Sequence, residues 1–248
     1  MQTKNPSSTR FAAELKSGEH TEPRFNLADY AVLMKPRVMS LVVFTALVGL
    51  LLAPGSIDPW TATAAIVFIA LGAGAAGAIN MWYDRDIDLQ MNRTMNRPLP
   101  AGRMRPGPAL AFGIIMALAA VSSMAYYVNL VSAALLLVTI LYYVFVYTVW
   151  LKRLTPQNVV IGGVSGALPP GVGWASVTGS IDSAALSLFL IIFLWTPPHS
   201  WALALYRRGD YEAAGVPMLP VAAGVQATKR QMAFYTVLLL PAPLIPVA

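Results

Sequence analysis

The chain has 248 residues, of which 57% are hydrophobic and only 11% charged, and its mean hydropathy of +0.61 excludes an ordinary soluble domain. It contains no cysteine, which excludes a disulfide framework, a thiolate metal site and a thiol nucleophile. The net charge of +6 does not indicate nucleic-acid binding, because the basic residues lie in alternate loops of a polytopic membrane protein.

The first 29 residues are predicted to form a polar cytoplasmic tail, and residues 30–248 a transmembrane domain. The tail mixes four basic with four acidic residues and has no apolar core long enough for a signal peptide. Its acidic residues also argue against an organellar transit peptide, which is poor in acids.

Seven apolar segments follow, and most approach the ~20 residues that a helix needs to cross a hydrocarbon core of ~30 Å. Their predicted ranges are 38–52, 60–83, 109–127, 130–150, 159–177, 183–205 and 231–248. The fold class is therefore predicted to be all-α, a bundle of transmembrane helices.

The distribution of lysine and arginine predicts the orientation of this bundle. Six of these residues precede the first segment, five follow the second, two follow the fourth and four follow the sixth, whereas the alternate connections carry none. By the positive-inside rule, the N-terminus and every basic loop lie in the cytoplasm.

Three oxygen-bearing side chains lie at the end of the second segment. Asn80, Asp84 and Asp88 are spaced i, i+4, i+8, so a continuing helix would align them on one face. Aligned carboxylates repel each other, and a Mg²⁺ ion shared with a substrate phosphate would remove that repulsion. The alternative is a solvated acidic helix end paired with nearby arginines.

Basic residues that could bind phosphate oxygens follow in the next two basic loops. Arg97 lies in the first of them, next to Pro98, and Lys152 and Arg153 close the fourth segment. Arginine binds phosphate through two parallel N–H donors, although a topology-determining arginine needs no such partner.

The sixth segment and the loop after it contain a second group of ionisable residues. His199 lies within the segment, and Asp210 and Glu212 follow it. An ionisable residue at membrane depth is a candidate functional residue, while a histidine there can equally be a hydrogen-bonded structural residue.

Taken together, the motifs resemble the UbiA prenyltransferase superfamily, and within it the protohaem IX farnesyltransferases, which make haem O. The resemblance spans about residues 30 to 225. It rests on five regions: Asn80-x3-Asp84-x3-Asp88; Asn92-Arg93-Thr94 with Asn96-Arg97-Pro98-Leu99-Pro100; Tyr147 through Leu151-Lys152-Arg153-x-Thr155-Pro156-Gln157-Asn158; Trp195-Thr196-Pro197-Pro198-His199; and Asp210-Tyr211-x2-Ala214-Gly215-Val216-Pro217-Met218-Leu219-Pro220.

The resemblance implies nine helices around a central cavity that opens to the cytoplasm and laterally to lipid. Only seven segments fit this chain, which therefore looks shortened by about two helices at its C-terminus. A second departure is Ala214, which stands where many relatives carry a second acid four residues after Asp210.

The resemblance also implies an activity: transfer of a farnesyl group from farnesyl diphosphate to a vinyl group of haem b. Mg²⁺ would be held by Asn80, Asp84, Asp88 and Asp210. Diphosphate oxygens would contact Arg97, Lys152 and Arg153. Tyr147 and Asn158 would line the substrate site, and His199 would seat the haem. The implied catalytic residues are Asp84, Asp88, Lys152, His199 and Asp210.

The expected surroundings are the bacterial inner membrane and its lipid bilayer, with haem A synthase or a terminal oxidase as partner. Three alternatives remain. The first is a UbiA enzyme that prenylates a quinone precursor or a chlorin, the second is a transporter or channel, and the third is a haem-binding assembly factor without catalytic activity. Clustering of the acids at segment ends favours an enzyme over a transporter.

Overall fold

The structure of the protein is a computed structural model that describes residues 26–247. The predicted tail is thus described only from residue 26, and its first 25 residues lie outside the described range. Residues 26–247 are helices and connecting turns without a strand. The helices are α1 Leu27–Leu33, α2 Pro36–Leu52, α3 Pro59–Tyr83, α4 Arg85–Gln90, α5 Pro106–Tyr127, α6 Leu130–Leu141, α7 Asn158–Ala167, α8 Pro169–Thr178, α9 Ser183–Tyr206, α10 Arg208–Ala213, α11 Leu219–Ala222 and α12 Gly224–Leu239.

Among the described residues, four helices are long and apolar enough to cross a membrane. They are α3, α5, α9 and the span Leu130–Leu151, which joins α6 to a π-helical segment. Counting the pair α1 and α2, which is bent by 54°, as one broken span gives a fifth. The all-α transmembrane fold predicted from the apolar segments is confirmed.

Two of the seven predicted segments differ in detail. The fifth is divided into α7 and α8, because Pro169 and Pro170 begin a new helix where the first ends. The seventh lies earlier than predicted: α12 ends at Leu239, and a 3₁₀ turn, Ala242–Val247, follows Pro241. Proline has no N–H to continue an α-helix, which explains the early end.

Two glycines let α2 and α8 pack at backbone contact. A Cβ atom added at Gly173 would lie 1.9 Å from the Ala46 carbonyl oxygen, and one at Gly49 would lie 2.0 Å from the Pro170 carbonyl oxygen. Small residues of this kind allow close helix association within a bilayer. The contact fixes α8, which is the second half of the divided fifth segment, against α2.

The second half of the fourth span is a π-helix over Tyr142–Leu151. Its wider turn is closed by a bond from the Lys152 N–H to the Tyr147 carbonyl oxygen, at 2.9 Å, and the Thr148 hydroxyl donates to the Tyr143 carbonyl at 2.8 Å. Such π-helical turns occur frequently at functional sites. Here the π-helix carries Tyr147, Thr148 and Lys152 to the end of α3.

Candidate active site

The predicted acidic face lies at the break between α3 and α4. The helix does not continue unbroken, since α3 ends at Tyr83 and α4 begins at Arg85. Backbone bonds from the Asp84 N–H to Asn80 and from the Asp88 N–H to Asp84, at 2.9 and 2.8 Å, still keep the i, i+4 spacing. Asn80, Asp84 and Asp88 are only 3%, 1% and 2% exposed. The alternative of a solvated acidic helix end is therefore wrong about exposure, although it is right that cations pair with the acids.

The carboxylate of Asp84 is the most heavily contacted of the three. Its Oδ2 accepts hydrogen bonds from Asn80 Nδ2, at 2.8 Å, and from Lys152 Nζ. Its Oδ1 is buried and accepts no hydrogen bond, with Arg153 Nη2 lying 3.7 Å away. One carboxylate oxygen is thus left available to a further cation, which is the fit that a Mg²⁺ ligand requires.

Asn80 joins the acidic face to two other elements. Its Nδ2 also donates to the buried Thr148 hydroxyl, at 2.9 Å, and its Oδ1 accepts from Lys35 Nζ. Lys35 lies in the bend between α1 and α2 with φ +53° and ψ +62°, the left-handed region, and no other non-glycine among residues 26–247 has a positive φ. A residue held in this region is strained, and such strain is concentrated at functional sites.

Lys35 is a site residue that the sequence motifs did not indicate. The available signal was its place directly before Pro36, where a proline restricts the backbone of the preceding residue. The partner could not be read from the sequence, because Lys35 and Asn80 are 45 residues apart.

Asp88 pairs with the predicted phosphate-binding residue Arg97. Arg97 Nη1 lies 2.6 Å from Asp88 Oδ2, and the buried Thr94 hydroxyl donates to the Asp88 carbonyl oxygen at 2.8 Å. The loop after α4 is thereby folded back over the acidic face. Arg97 thus lies at the acidic face, where its partner is the Asp88 carboxylate.

Arg153 divides its guanidinium between two acids. It binds Asp86 through both Nη atoms, each at 2.7 Å, and lies 4.9 Å from the centre of the Tyr83 ring. Hydrogen bonding from Arg153 holds the pKa of Asp86 below its usual value of 3.8. Because Asp86 points away to solvent, Arg153 links the outside of the bundle to Asp84.

Asn158 contacts the backbone that carries Lys152. It is fully buried at the start of α7, and its Nδ2 donates to the Lys152 carbonyl oxygen at 3.3 Å. Its Oδ1 has no hydrogen-bond partner. The structure therefore brings Asn158 next to a predicted site residue rather than into the ring of acids.

Asp210 lies on α10 and is half-buried. Its contact with the first acidic region is a hydrogen bond from Asn92 Nδ2, at 3.3 Å, in the loop that follows α4. Glu212 is exposed. Within residues 26–247, no three acidic or histidine side chains lie close enough to enclose one ion. An ion at Asp84 would need further oxygen ligands, which water and a substrate phosphate can supply.

A cavity of about 570 Å³ lies between α2, the π-helix, α7 and α9. His199 lines it and stacks on Trp195, with ring centres 4.2 Å apart and planes at 18°. Tyr147 lines the same cavity, where a Cβ atom added at Gly162 would lie only 2.3 Å from its ring. The cavity thus combines a broad aromatic surface with His199 and Tyr147, two of the predicted site residues.

A smaller cavity of about 130 Å³ adjoins it and is almost wholly apolar. Lys35 and Tyr143 line this cavity, and Tyr143 also lines the larger one, where it stacks on Tyr147 at 5.4 Å. The two cavities share Val38, Val42, Tyr143, Ser165 and Gly166. A buried polar network therefore adjoins one narrow apolar cavity and one wide aromatic cavity.

Known proteins are similar to this chain in sequence and in fold. Residues 42–248 match the UbiA prenyltransferase family. A Parvibaculum lavamentivorans protein named protoheme IX farnesyltransferase is 60% identical over 218 residues, which cover 88% of this chain and 69% of that protein. One of the same name from Bartonella tribocorum is 54% identical over 224 residues, covering 90% and 72%.

Solved structures agree with the fold. A UbiA homolog from Archaeoglobus fulgidus bound to GPP and Mg²⁺ superposes with a TM-score of 0.72 at 17% identity, and the match covers 86% of this chain and 76% of that one. The fold is thus of the UbiA type, and this chain is a multi-pass membrane protein. The match over residues 42–248 and the relatives above 50% identity show that the chain is a prenyltransferase and belongs to the UbiA prenyltransferase family.

Proposed function

We propose that this enzyme transfers a farnesyl group from farnesyl diphosphate to a vinyl group of haem b, forming haem O. The names of the relatives support the acceptor and the donor. The observation that carries the proposal is the buried network of Asn80, Asp84, Lys35 and Lys152 beside two cavities of different shape. The narrow cavity suits the first part of a prenyl chain, and the wide cavity suits a flat aromatic acceptor.

The diphosphate would bind at the break between α3 and α4. Lys152 and Arg97 pair with the carboxylates there and Arg153 lies 3.7 Å from Asp84, so all three cations would be available to phosphate oxygens. Mg²⁺, when bound by Asp84 with Asn80 and Asp88 on the same face, would neutralise the negative charge of the departing diphosphate, and Asp210 would supply a further oxygen from α10. Lys35 would add a cation at the opening of the narrow cavity.

The first carbons of the prenyl chain would occupy the narrow cavity, and the rest of the chain would extend along the wall that it shares with the wide cavity, because about 130 Å³ is too small for a whole farnesyl group. Besides Lys35 and Tyr143, the walls of the narrow cavity are mainly aliphatic side chains and glycines of α2, α3, α6 and α8. Burial of a hydrocarbon chain against such walls is favourable in proportion to its apolar area. The reactive carbon would then lie near Tyr143 and Tyr147, whose stacked rings can stabilise a developing cation.

The haem would occupy the wide cavity. Trp195 offers a face for stacking, and His199 beside it offers a nitrogen for the haem iron or a propionate. In the reaction, the bond between farnesyl C1 and oxygen breaks and diphosphate leaves with the electron pair. A vinyl carbon bonds to C1, and water adds to the resulting cation and loses a proton, which gives the hydroxyethylfarnesyl side chain.

The proposed location is the bacterial inner membrane, with the basic loops and the diphosphate site on the cytoplasmic side. Residues 30–248 would form the catalytic domain and residues 1–29 a cytoplasmic tail. Haem A synthase or a terminal oxidase is the proposed recipient of the product.

The test is mass analysis of haem extracted from membranes that contain the chain, supplied with haem b and farnesyl diphosphate, with and without Mg²⁺. The same assay is run on a fusion protein in which residue 248 is followed by the carboxyl-terminal part of the Parvibaculum lavamentivorans relative that the match does not cover. Mg²⁺-dependent haem O from either protein, and none after Asp84→Asn, is the expected result. Prenylation of a quinone precursor with no haem product from either protein would overturn the proposed acceptor.

A further inference from the structure

A third cavity lies against α3 residues other than those of the active site network, namely Ile79, Trp82 and Tyr83. It has a volume of about 620 Å³ and lies between α3, α5 and the span Leu130–Leu151. Its lining is aliphatic and aromatic along its length, and the hydroxyl of Ser122 is satisfied within α5 by the Leu118 carbonyl at 2.7 Å. We call it the α3–α5 groove.

The groove is long enough for a lipid chain. It extends along α5 from Leu110 to Ala125, which at the rise of an α-helix is about 22 Å. One leaflet of a hydrocarbon core of ~30 Å is about 15 Å thick, so an extended acyl chain fits within it. Exposed Ile114, Leu118 and Phe145 open the groove towards the surface.

One end of the groove is aromatic and basic. Trp82 and Tyr83 both line it, and a guanidinium lies over each ring, Arg85 at 5.3 Å and Arg153 at 4.9 Å. Arg85 is exposed and donates Nη1 to the Trp82 carbonyl oxygen at 2.7 Å. This is the end at which the basic loops leave the bundle, and aromatic and basic residues of this kind face lipid headgroups.

We infer that the α3–α5 groove is a binding site for an anionic glycerophospholipid, with an acyl chain in the groove and the headgroup phosphate on Arg85. Charge complementarity favours this occupant over a zwitterionic lipid, because Arg85 adds a positive charge at the end of the hydrocarbon wall, whereas Arg153 there is paired with Asp86. It also disfavours a second copy of the chain, since an apolar helix in the groove would have to cover the charges of Arg85 and Asp86.

Arg153 adjoins both this groove and Asp84, so a test of the lipid site uses Arg85 and groove residues instead. The purified protein is mixed with dioleoyl phosphatidylglycerol or dioleoyl phosphatidylcholine, and bound lipid is counted by native mass spectrometry. Arg85→Gln removes the headgroup contact, and Arg230→Gln on exposed α12 is the matched control. Ala117→Trp fills the groove, and Ala119→Trp, exposed on the same helix outside the groove, is its control.

The expected result is tighter binding of phosphatidylglycerol than of phosphatidylcholine, and a loss of about fivefold for phosphatidylglycerol in Arg85→Gln alone. Ala117→Trp should lower binding of both lipids. Equal binding of the two lipids, or equal effects of Arg85→Gln and Arg230→Gln, would overturn the inference. So would displacement of the lipid by equimolar glycerol 3-phosphate, or a dimer that Ala117→Trp dissociates.

Discussion

The two acidic regions of the molecule differ in how their charge is compensated. Asp84 and Asp88 are buried, and each already contacts a cation, Lys152 for the first and Arg97 for the second. Asp210 is half-buried and receives a hydrogen bond from the neutral amide of Asn92. A buried carboxylate needs a counter-ion whether or not a ligand is bound, whereas a solvated one does not.

This difference indicates separate tasks in the proposed reaction. At Asp84 and Asp88, the cations that pair with the carboxylates are also the groups that can bind diphosphate. Binding of diphosphate would therefore exchange one partner for another without leaving an unpaired buried charge. At Asp210, no cation has to be displaced before a metal approaches. Substitutions should therefore cost most in the first region, where a carboxylate supports cation and metal together.

The largest effect is expected for Asp84→Asn. It keeps the side-chain shape but removes the charge that holds Lys152 and would hold Mg²⁺, so prenyl transfer should fall about 10²- to 10³-fold. The measurement is haem O formed per amount of membrane-inserted protein. Glu212→Gln, exposed on α10, is the control and should keep full activity. Activity within threefold of the parent in Asp84→Asn would mean that the buried region is only structural.

A smaller loss, about tenfold, is expected for Lys35→Met, because a charge-assisted hydrogen bond to Asn80 and a cation at the narrow cavity are removed. The loss should appear as a raised KM for the prenyl diphosphate. Exposed Arg37→Met is the matched control. Lys35→Gly separates charge from backbone strain, since glycine adopts a positive φ without cost. If Lys35→Gly kept the parent KM, the charge of Lys35 would have no part in binding.

Asp210→Asn tests the less buried region and should raise the Mg²⁺ concentration needed for half-maximal activity, by about tenfold. Asn92→Ala removes the hydrogen bond to Asp210 and should cause a smaller change of the same kind. The maximal rates of Asp210→Asn and Asp84→Asn are then compared at saturating Mg²⁺. If both variants lost the same fraction of the parent rate, the two acidic regions would not differ in function.

The sequence predicted those parts of the site that depend on local spacing. Asn80 and Asp84 meet because they are four residues apart, and the break after Tyr83 changes little, since the backbone bonds continue across it. Lys35 was missed because its contact with Asn80 depends on how α1 and α2 fold against α3. The π-helix was also missed, since an unbroken apolar run has no period that distinguishes it from an α-helix.

The helices, like the site, were predicted where they depend on local sequence and not where they depend on distant contacts. The apolar runs predicted α3, α5 and α9 to within a few residues, because each run is as long as the bilayer requires. The last segment was displaced because hydropathy continues past Leu239, whereas proline chemistry ends the helix. Packing at Gly49 and Gly173 depends on a distant partner backbone and has no local signal.

The smallest effect is expected for Asp86→Asn, the acid of α4 that lies outside the buried network. Its side chain is 58% exposed, and exposed ion pairs contribute about 0–1 kcal/mol, so its bidentate pair with Arg153 should matter little to stability. Arg153 would keep its contact with Asp84, and activity should stay within about twofold of the parent. The measurement is prenyl transfer across pH in both proteins.

The pKa of Asp86 determines in which pH range its ion pair with Arg153 contributes to stability. Arg153 holds the pKa of Asp86 below 3.8 in the folded protein, so the pair's contribution is fully present above that pH and is lost only as pH falls through the lower folded value. Between about pH 6 and pH 8 the two profiles should therefore be parallel. A shift of the Asp86→Asn profile within this range would show that Asp86 is coupled to the buried acids through Arg153, and that it belongs with Asp84 and Asp88 in function although its side chain is exposed.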